Sequence, residues 1–223
     1  MAFATLLLYY ITDRTQFPGD EAARRARLLE RIAAAAGAGV DYIQLREKDL
    51  SARELEQLAR AAIQAIRGAS SSARLLINSR CDVALAAGAN GVHLRAGAQD
   101  ISAADARALL VRAGMSSPIV AASCHASSEV ALAASEGADF AVFGPVFGKG
   151  PDAAHEQVAP AGLSALRAAC SASVGGMPVL ALGTVSTENA AGCLRAGAAG
   201  VAGIRLFQNG DVAATVRRLR SLP

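Results

Sequence analysis

The chain has no tryptophan, three tyrosines, six phenylalanines and three histidines in 223 residues. It has no block of Lys/Arg and no stripe of alternating basic and aromatic residues, and its formal net charge is only +3. These shortages argue against a nucleic-acid partner. A small positive excess still suits an anionic small molecule. No apolar run approaches the ~20 residues that a membrane span needs. The apolar opening Met1–Ile11 has no basic residue before it and is soon followed by Asp13 and Arg14. It reads as a first buried strand, not as a signal peptide or anchor. The four cysteines, Cys81, Cys124, Cys170 and Cys193, include no C-x-x-C pair. That spacing offers neither a disulfide framework nor clustered zinc ligands. Reduced thiols in a cytoplasmic protein are the expectation.

What is present is a hydrophobic, lightly charged chain, 52% and 18% respectively, which buries a full core and is not disordered. One pattern recurs four times: an alanine-rich helical stretch, a glycine, then a hydrophobic run. The glycines stand at 37, 88, 137 and 197, and the runs after them include Tyr42-Ile43-Gln44, Val92-His93-Leu94, Phe140-Ala141-Val142-Phe143 and Val201-Ala202. A glycine just past a helix takes the left-handed cap conformation, and the run after it is a strand. Roughly fifty residues hold two strand–helix units. The second strand of each unit is found at Leu6–Ile11, Leu75–Asn78, Ile119–Ala122 and Val179–Leu182. Helices are predicted over 21–36, 51–67, 80–87, 102–113, 126–136, 161–171, 187–196 and 211–220, with Ser51 and Glu54 forming a capping box. Eight strands alternating with eight helices predict an α/β fold, a single (β/α)8 TIM barrel over 1–223. A doubly wound open sheet is the competing architecture, and the fourfold repeat favours closure.

In such a barrel the chemistry sits at the C-terminal ends of the strands. Gln44, Arg46 and Lys48 alternate after the second strand, so continued strand would point all three into the mouth as a phosphate or diphosphate clamp. The same cations could instead pair with Glu47, Asp49 or Glu54 on the rim. Asn78 ends the third strand. Gly183 and Thr184, with Ser186 at a helix start, and Arg205 after the eighth strand occupy the usual barrel phosphate region. Ser123 and His125 lie two apart at the end of the fifth strand and should face the same way. His125 is the candidate acid–base, because imidazole titrates near neutral pH. Cys124 should face away from it, so a Cys–His dyad is not expected. His93 reads as a core histidine, and His155 falls in a Pro/Gly-containing loop.

From Tyr9 to about Phe207 the chain resembles the thiamine phosphate synthase/TenI family. The resemblance is carried by Tyr10-Ile11-Thr12-Asp13, Ile43-Gln44-Leu45-Arg46-Glu47-Lys48-Asp49, Leu76-Ile77-Asn78-Ser79-Arg80, Gly91-Val92-His93-Leu94, Ser123-Cys124-His125 and Gly144-Pro145-Val146-Phe147. It implies a barrel and two activities. The synthase joins a hydroxymethylpyrimidine diphosphate to a thiazole phosphate with magnesium on the departing diphosphate. Gln44 and Ser123 would then touch the pyrimidine, and Arg46 and Lys48 the diphosphate. TenI is a thiazole tautomerase that moves a proton without metal or other cofactor, through a histidine matching His125. Ser79 stands where the synthase pattern has a magnesium aspartate, which leaves Asp100 as the metal candidate. Lys149 is the cation nearest the family's lysine after the sixth strand, and Gly183-Thr184 replaces a Gly-Gly pair. On these departures the tautomerase is the leading reading and a diverged synthase the alternative, with a non-catalytic ligand-binding relative behind them. The partners implied are a thiazole phosphate and, for the synthase, a pyrimidine diphosphate. A homo-oligomer is compatible with the sequence, and no membrane association is expected.

Overall fold

The computed structural model describes residues 6–97, 101–148 and 159–222. Its first half runs β1 (Leu7–Ile11), α1 (Glu21–Ala38), β2 (Tyr42–Leu45), α2 (Ala52–Gly68), β3 (Arg74–Asn78), α3 (Cys81–Ala87), β4 (Gly91–Leu94) and α4 (Ala103–Arg112). The second half runs β5 (Ile119–Cys124), α5 (Ser127–Ser135), β6 (Phe140–Phe143), α6 (Gly162–Ala172), β7 (Val179–Ala181), α7 (Ala190–Arg195), β8 (Gly200–Gly203), α8 (Arg205–Gln208) and α9 (Val212–Arg220). Each strand pairs in parallel with the next, and β1 also pairs with β8, so the barrel is closed. The expected (β/α)8 barrel is the observed fold.

The two-residue period of the strands sorts the core into two faces. Leu8, Ile43, Leu75, Val92, Val120 and Val201 pack under the helices, whereas Tyr9, Leu76, Ala121, Phe140, Leu180 and Ala202 fill the barrel. α2 shows how a helix is tied on. Ser51 and Glu54 cap its first turn reciprocally, and Leu55, Leu58, Ala59, Ala62 and Ile66 make one buried stripe. Burying a leucine or isoleucine of this kind stabilises by about 1.5–3 kcal/mol.

Two local expectations are corrected. Gly37 does not end the first helix: α1 continues through Ala38, and Gly39 caps it with φ +98°. That copy of the repeat holds two glycines, and the later one takes the left-handed position. Gly88, Gly137 and Gly197 do adopt positive φ. α7 starts at Ala190 rather than near 187, because the Asn189 side chain bonds the Ser186 N–H and the Thr184 carbonyl and folds that stretch into a turn.

All eight strands point the same way, so the residues after β1, β2, β5 and β8 share one mouth. Among the described residues no helix is long and apolar enough to cross a membrane. None of the four cysteines is in a disulfide.

Closure depends on a backbone contact at Gly200, where an added Cβ would lie 2.1 Å from the Leu7 carbonyl oxygen. Gly200→Ala should therefore destabilise the protein by about 3 kcal/mol, the upper range for overpacking. Urea unfolding checks this, and a variant as stable as the parent would show that the β1–β8 seam tolerates a side chain.

Candidate active site

The first feature of the mouth is a buried ion cluster. Arg14 follows β1 directly, and its side chain is 4% exposed against 1% for Glu47. Its Nη1 donates to Glu47 Oε2 at 3.1 Å and to Asp49 Oδ1 at 2.7 Å, its Nη2 to Asp49 Oδ2 at 2.7 Å, and its Nε to Glu21 at 2.8 Å. Glu47 also accepts from the Arg14 N–H at 3.0 Å and from the Thr12 hydroxyl at 2.6 Å. Thr12 in turn accepts from the Arg46 N–H at 3.0 Å. Charged hydrogen bonds of this kind justify burying the pair, which would be costly unpaired.

This cluster decides what Arg46 can do. β2 ends at Leu45, so the alternation that was to carry Arg46 and Lys48 into the mouth stops before them. Lys48 sits exposed in the following turn, whereas Arg46 is half-buried. The rim carboxylates are already engaged: Glu47 and Asp49 by Arg14, Glu54 by Arg25 and Ser51. Among the described residues, none bonds the Arg46 guanidinium. Burial pushes its pKa down, against the attraction of the more distant Asp13 and Glu47. Beside it Gln44, buried at the end of β2, donates to Asn78 Oδ1 at 2.9 Å.

Ser123 and His125 turn to different partners, because the alternation of β5 ends at Cys124. Ser123 Oγ lies 2.8 Å from His93 Nε2, inside the barrel. His125 is exposed, and its Nδ1 meets the Gly144 carbonyl oxygen. A carbonyl only accepts, so Nδ1 carries the proton and Nε2 of the neutral ring offers a lone pair. Cys124 packs outward into the helix-facing core, and burial pushes its thiol up to about 12, so no Cys–His dyad forms. His93 is a core histidine as expected, but its bond to Ser123 makes it part of the site, which its sequence position alone did not reveal.

The loops after β6 and β7 are stitched together. Val146 N–H donates to the Leu182 carbonyl at 2.7 Å and Phe147 N–H to the Gly183 carbonyl at 3.2 Å. An added Cβ on Gly183 would lie 2.5 Å from Pro145 Cα. The Thr184 hydroxyl donates to the Gly148 carbonyl at 2.9 Å. Ser186 N–H is engaged by Asn189, so it is not available to an anion. The amides of Gly183, Thr184 and Val185 have no acceptor among the described residues, and successive free N–H groups form an anion nest. Arg205 opens α8 and is half-buried. Gln208 at the other end of α8 bonds Asp13 and Tyr10, locking the β1 and β8 loops together.

Asp100, Lys149 and His155 lie outside the described residues. Among the described residues no three His, Cys, Asp or Glu side chains converge. Together with the hydroxyl of Ser79, they do not fit a protein-built divalent-cation site, which needs carboxylate oxygens.

Removing Arg14 would strand Glu47 as a buried, unpaired charge. Arg14→Met should cost about 3–5 kcal/mol at neutral pH by urea unfolding. Arg14 also holds the Asp49 and Glu21 carboxyls below their ordinary values. A depressed carboxylate stabilises above its unfolded pKa, and that contribution is lost as pH falls through the folded value. Wild type should therefore lose more stability than Arg14→Met as pH drops below 4.5 and 3.8, the unshifted values of Glu and Asp. Parallel pH profiles would remove the cluster from the account. Both carboxylates are about half exposed, so the effect is modest.

Comparison with known proteins identifies the family of the chain. The family model described as thiamine monophosphate synthase matches residues 8–207. A provisionally named thiamine-phosphate synthase of Geobacter sulfurreducens is 44% identical over 202 residues, 91% of this chain and 86% of its own. The thiamine-phosphate synthase of Methanoculleus marisnigri is 40% identical over 215 residues, 96% and 93% of the two chains. The solved thiamine phosphate pyrophosphorylase of Pyrococcus furiosus superposes with a TM-score of 0.77 at 30% identity, covering 98% of this chain and 96% of that one. These names match the synthase reading better than the tautomerase reading. The chain belongs to the thiamine monophosphate synthase family, an enzyme family of thiamine biosynthesis.

Proposed function

We propose that the protein joins a hydroxymethylpyrimidine diphosphate to a thiazole phosphate and releases diphosphate. The observation that carries this reading is Arg46, a half-buried cation at the mouth whose neighbouring carboxylates are held by Arg14. In the reaction the bond from the pyrimidine CH2 to the diphosphate oxygen breaks, and its electron pair leaves with the diphosphate. The thiazole nitrogen lone pair then forms the new C–N bond. Arg46, with Lys48 and Lys149 as further cations, would stabilise the charge growing on the leaving oxygen. Gln44, its partner Asn78, and Ser123 would contact the pyrimidine. The Gly183, Thr184 and Val185 amides, with Arg205, would hold the thiazole phosphate. The described residues do not fit a magnesium site of their own, so a magnesium ion would be bound mainly by diphosphate oxygens, with Asp100 as the proposed carboxylate. A cytoplasmic setting belongs to the same proposal, by likeness to the biosynthetic synthases that the chain resembles.

One observation favours the tautomerase as a second reading: the exposed Nε2 lone pair of His125, which suits proton transfer on carbon.

Turnover of the two substrates with magnesium tests the proposal. Arg46→Ala should lower kcat/KM by about 10- to 150-fold, the size of a charged hydrogen bond. No joining activity, together with metal-free thiazole isomerisation that His125→Asn reduces by about 10²–10⁴-fold, would replace the synthase by the tautomerase.

A further inference from the structure

The interior of the barrel carries a polar chain that leads from its centre to the mouth. Tyr9 is fully buried in β1, in edge contact with the rings of Phe140 and Tyr42. Its hydroxyl lies 3.0 Å from His93 Nδ1, and His93 Nε2 lies 2.8 Å from Ser123 Oγ. Tyr9 and His93 are 0% and 2% exposed, and Ser123 is half-buried at the mouth end. The direction of the two hydrogen bonds follows from counting donors and acceptors.

The Tyr9 hydroxyl hydrogen has one acceptor among the described residues, His93 Nδ1. Were Nδ1 protonated, as in the other tautomer or the imidazolium, that hydrogen would be buried without a partner, a costly arrangement. Tyr9 therefore donates, Nδ1 accepts, and the proton of the neutral ring sits on Nε2. Nε2 then donates to Ser123 Oγ. The Ser123 hydrogen has no other acceptor among the described residues, and it is left to donate outward. Burial by itself raises the Tyr9 pKa well above its usual value of 10, which keeps the phenol a neutral donor.

We propose that Tyr9 and His93 are positioning residues that fix Ser123 as a hydrogen-bond donor toward the substrate. The substrate must then present a lone-pair acceptor there, a ring nitrogen or an anionic oxygen, and not an N–H. The direction of the chain rests on the geometry alone. Its use in turnover rests on the synthase reading.

The test has two readouts. The first is the 15N NMR spectrum of the His93 ring in the full-length, ligand-free enzyme, assigned with variants of the other two histidines. The proposal expects a proton on Nε2 and an unprotonated Nδ1. Tyr9→Phe, which keeps the ring and changes little in packing, should abolish that single-tautomer pattern. The second is a double-mutant cycle on kcat/KM. Tyr9→Phe should lower it by roughly three- to tenfold in the wild-type background, the effect of one neutral hydrogen bond. In a Ser123→Ala background it should have almost no effect, since Tyr9 acts through Ser123. A proton on Nδ1 in the wild type overturns the proposal, as does an equal loss in both backgrounds. The tautomer needs no turnover, so an enzyme inactive on both substrates would sink the synthase reading and leave the relay standing.

Discussion

Arg14 lies between the ends of β1 and β2, and its guanidinium is shared among Glu47, Asp49 and Glu21. The character of the mouth depends on this sharing. Glu47 and Arg46 are neighbours in sequence, and two exposed neighbours of opposite charge would ordinarily screen each other. Here Glu47 is drawn inward by Arg14, the Arg14 N–H and Thr12, while Arg46 stays at the opening. A buried pair of this kind is no guarantee of added stability. In the proposed function its consequence is to keep a cation beside the polar strand ends with no carboxylate attached to it among the described residues.

The same logic runs down the barrel. Most interior positions are apolar, as packing demands, but one sector carries Gln44 against Asn78 and Tyr9 against His93 and Ser123. Each buried polar atom there has a partner, which is the condition for placing such groups in a core. No buried side-chain polar atom among the described residues lacks a partner. In the proposed function, side chains held below the mouth would let the residues above it meet a ligand without rearranging, and such preorganisation is where much of catalysis originates. Gln208 adds the last tie, binding the β1 loop to α8.

The fold was legible because it is written as a repeat. Glycine caps and β-branched runs recur at a spacing that only two strand–helix units explain, and a sliding cap, Gly39 for Gly37, leaves the architecture unchanged. The site was legible only where strand alternation lasts. Gln44, Asn78 and Ser123 lie on strands and face inward as their positions require. Arg46, Lys48 and His125 lie just past strand ends, where a turn and not a two-residue period sets direction. Arg14 was missed because an arginine after a strand looks like surface, and only the fold brings it to Glu47, 33 residues away. His93 was recognised as core but not as the partner of Ser123, since the contact joins two strands. Asp100 and Lys149 stay as sequence expectations outside the described residues.

Family membership and geometry favour the proposed synthase reaction, and Arg46 is the residue on which that proposal turns. The most direct measurement is a crystal structure of the protein soaked with inorganic diphosphate. The account predicts diphosphate oxygens within hydrogen-bond distance of the Arg46 guanidinium, with Glu47 and Asp49 still held by Arg14. Diphosphate bound elsewhere, or Arg46 turned back onto Glu47 or Asp13, would contradict it.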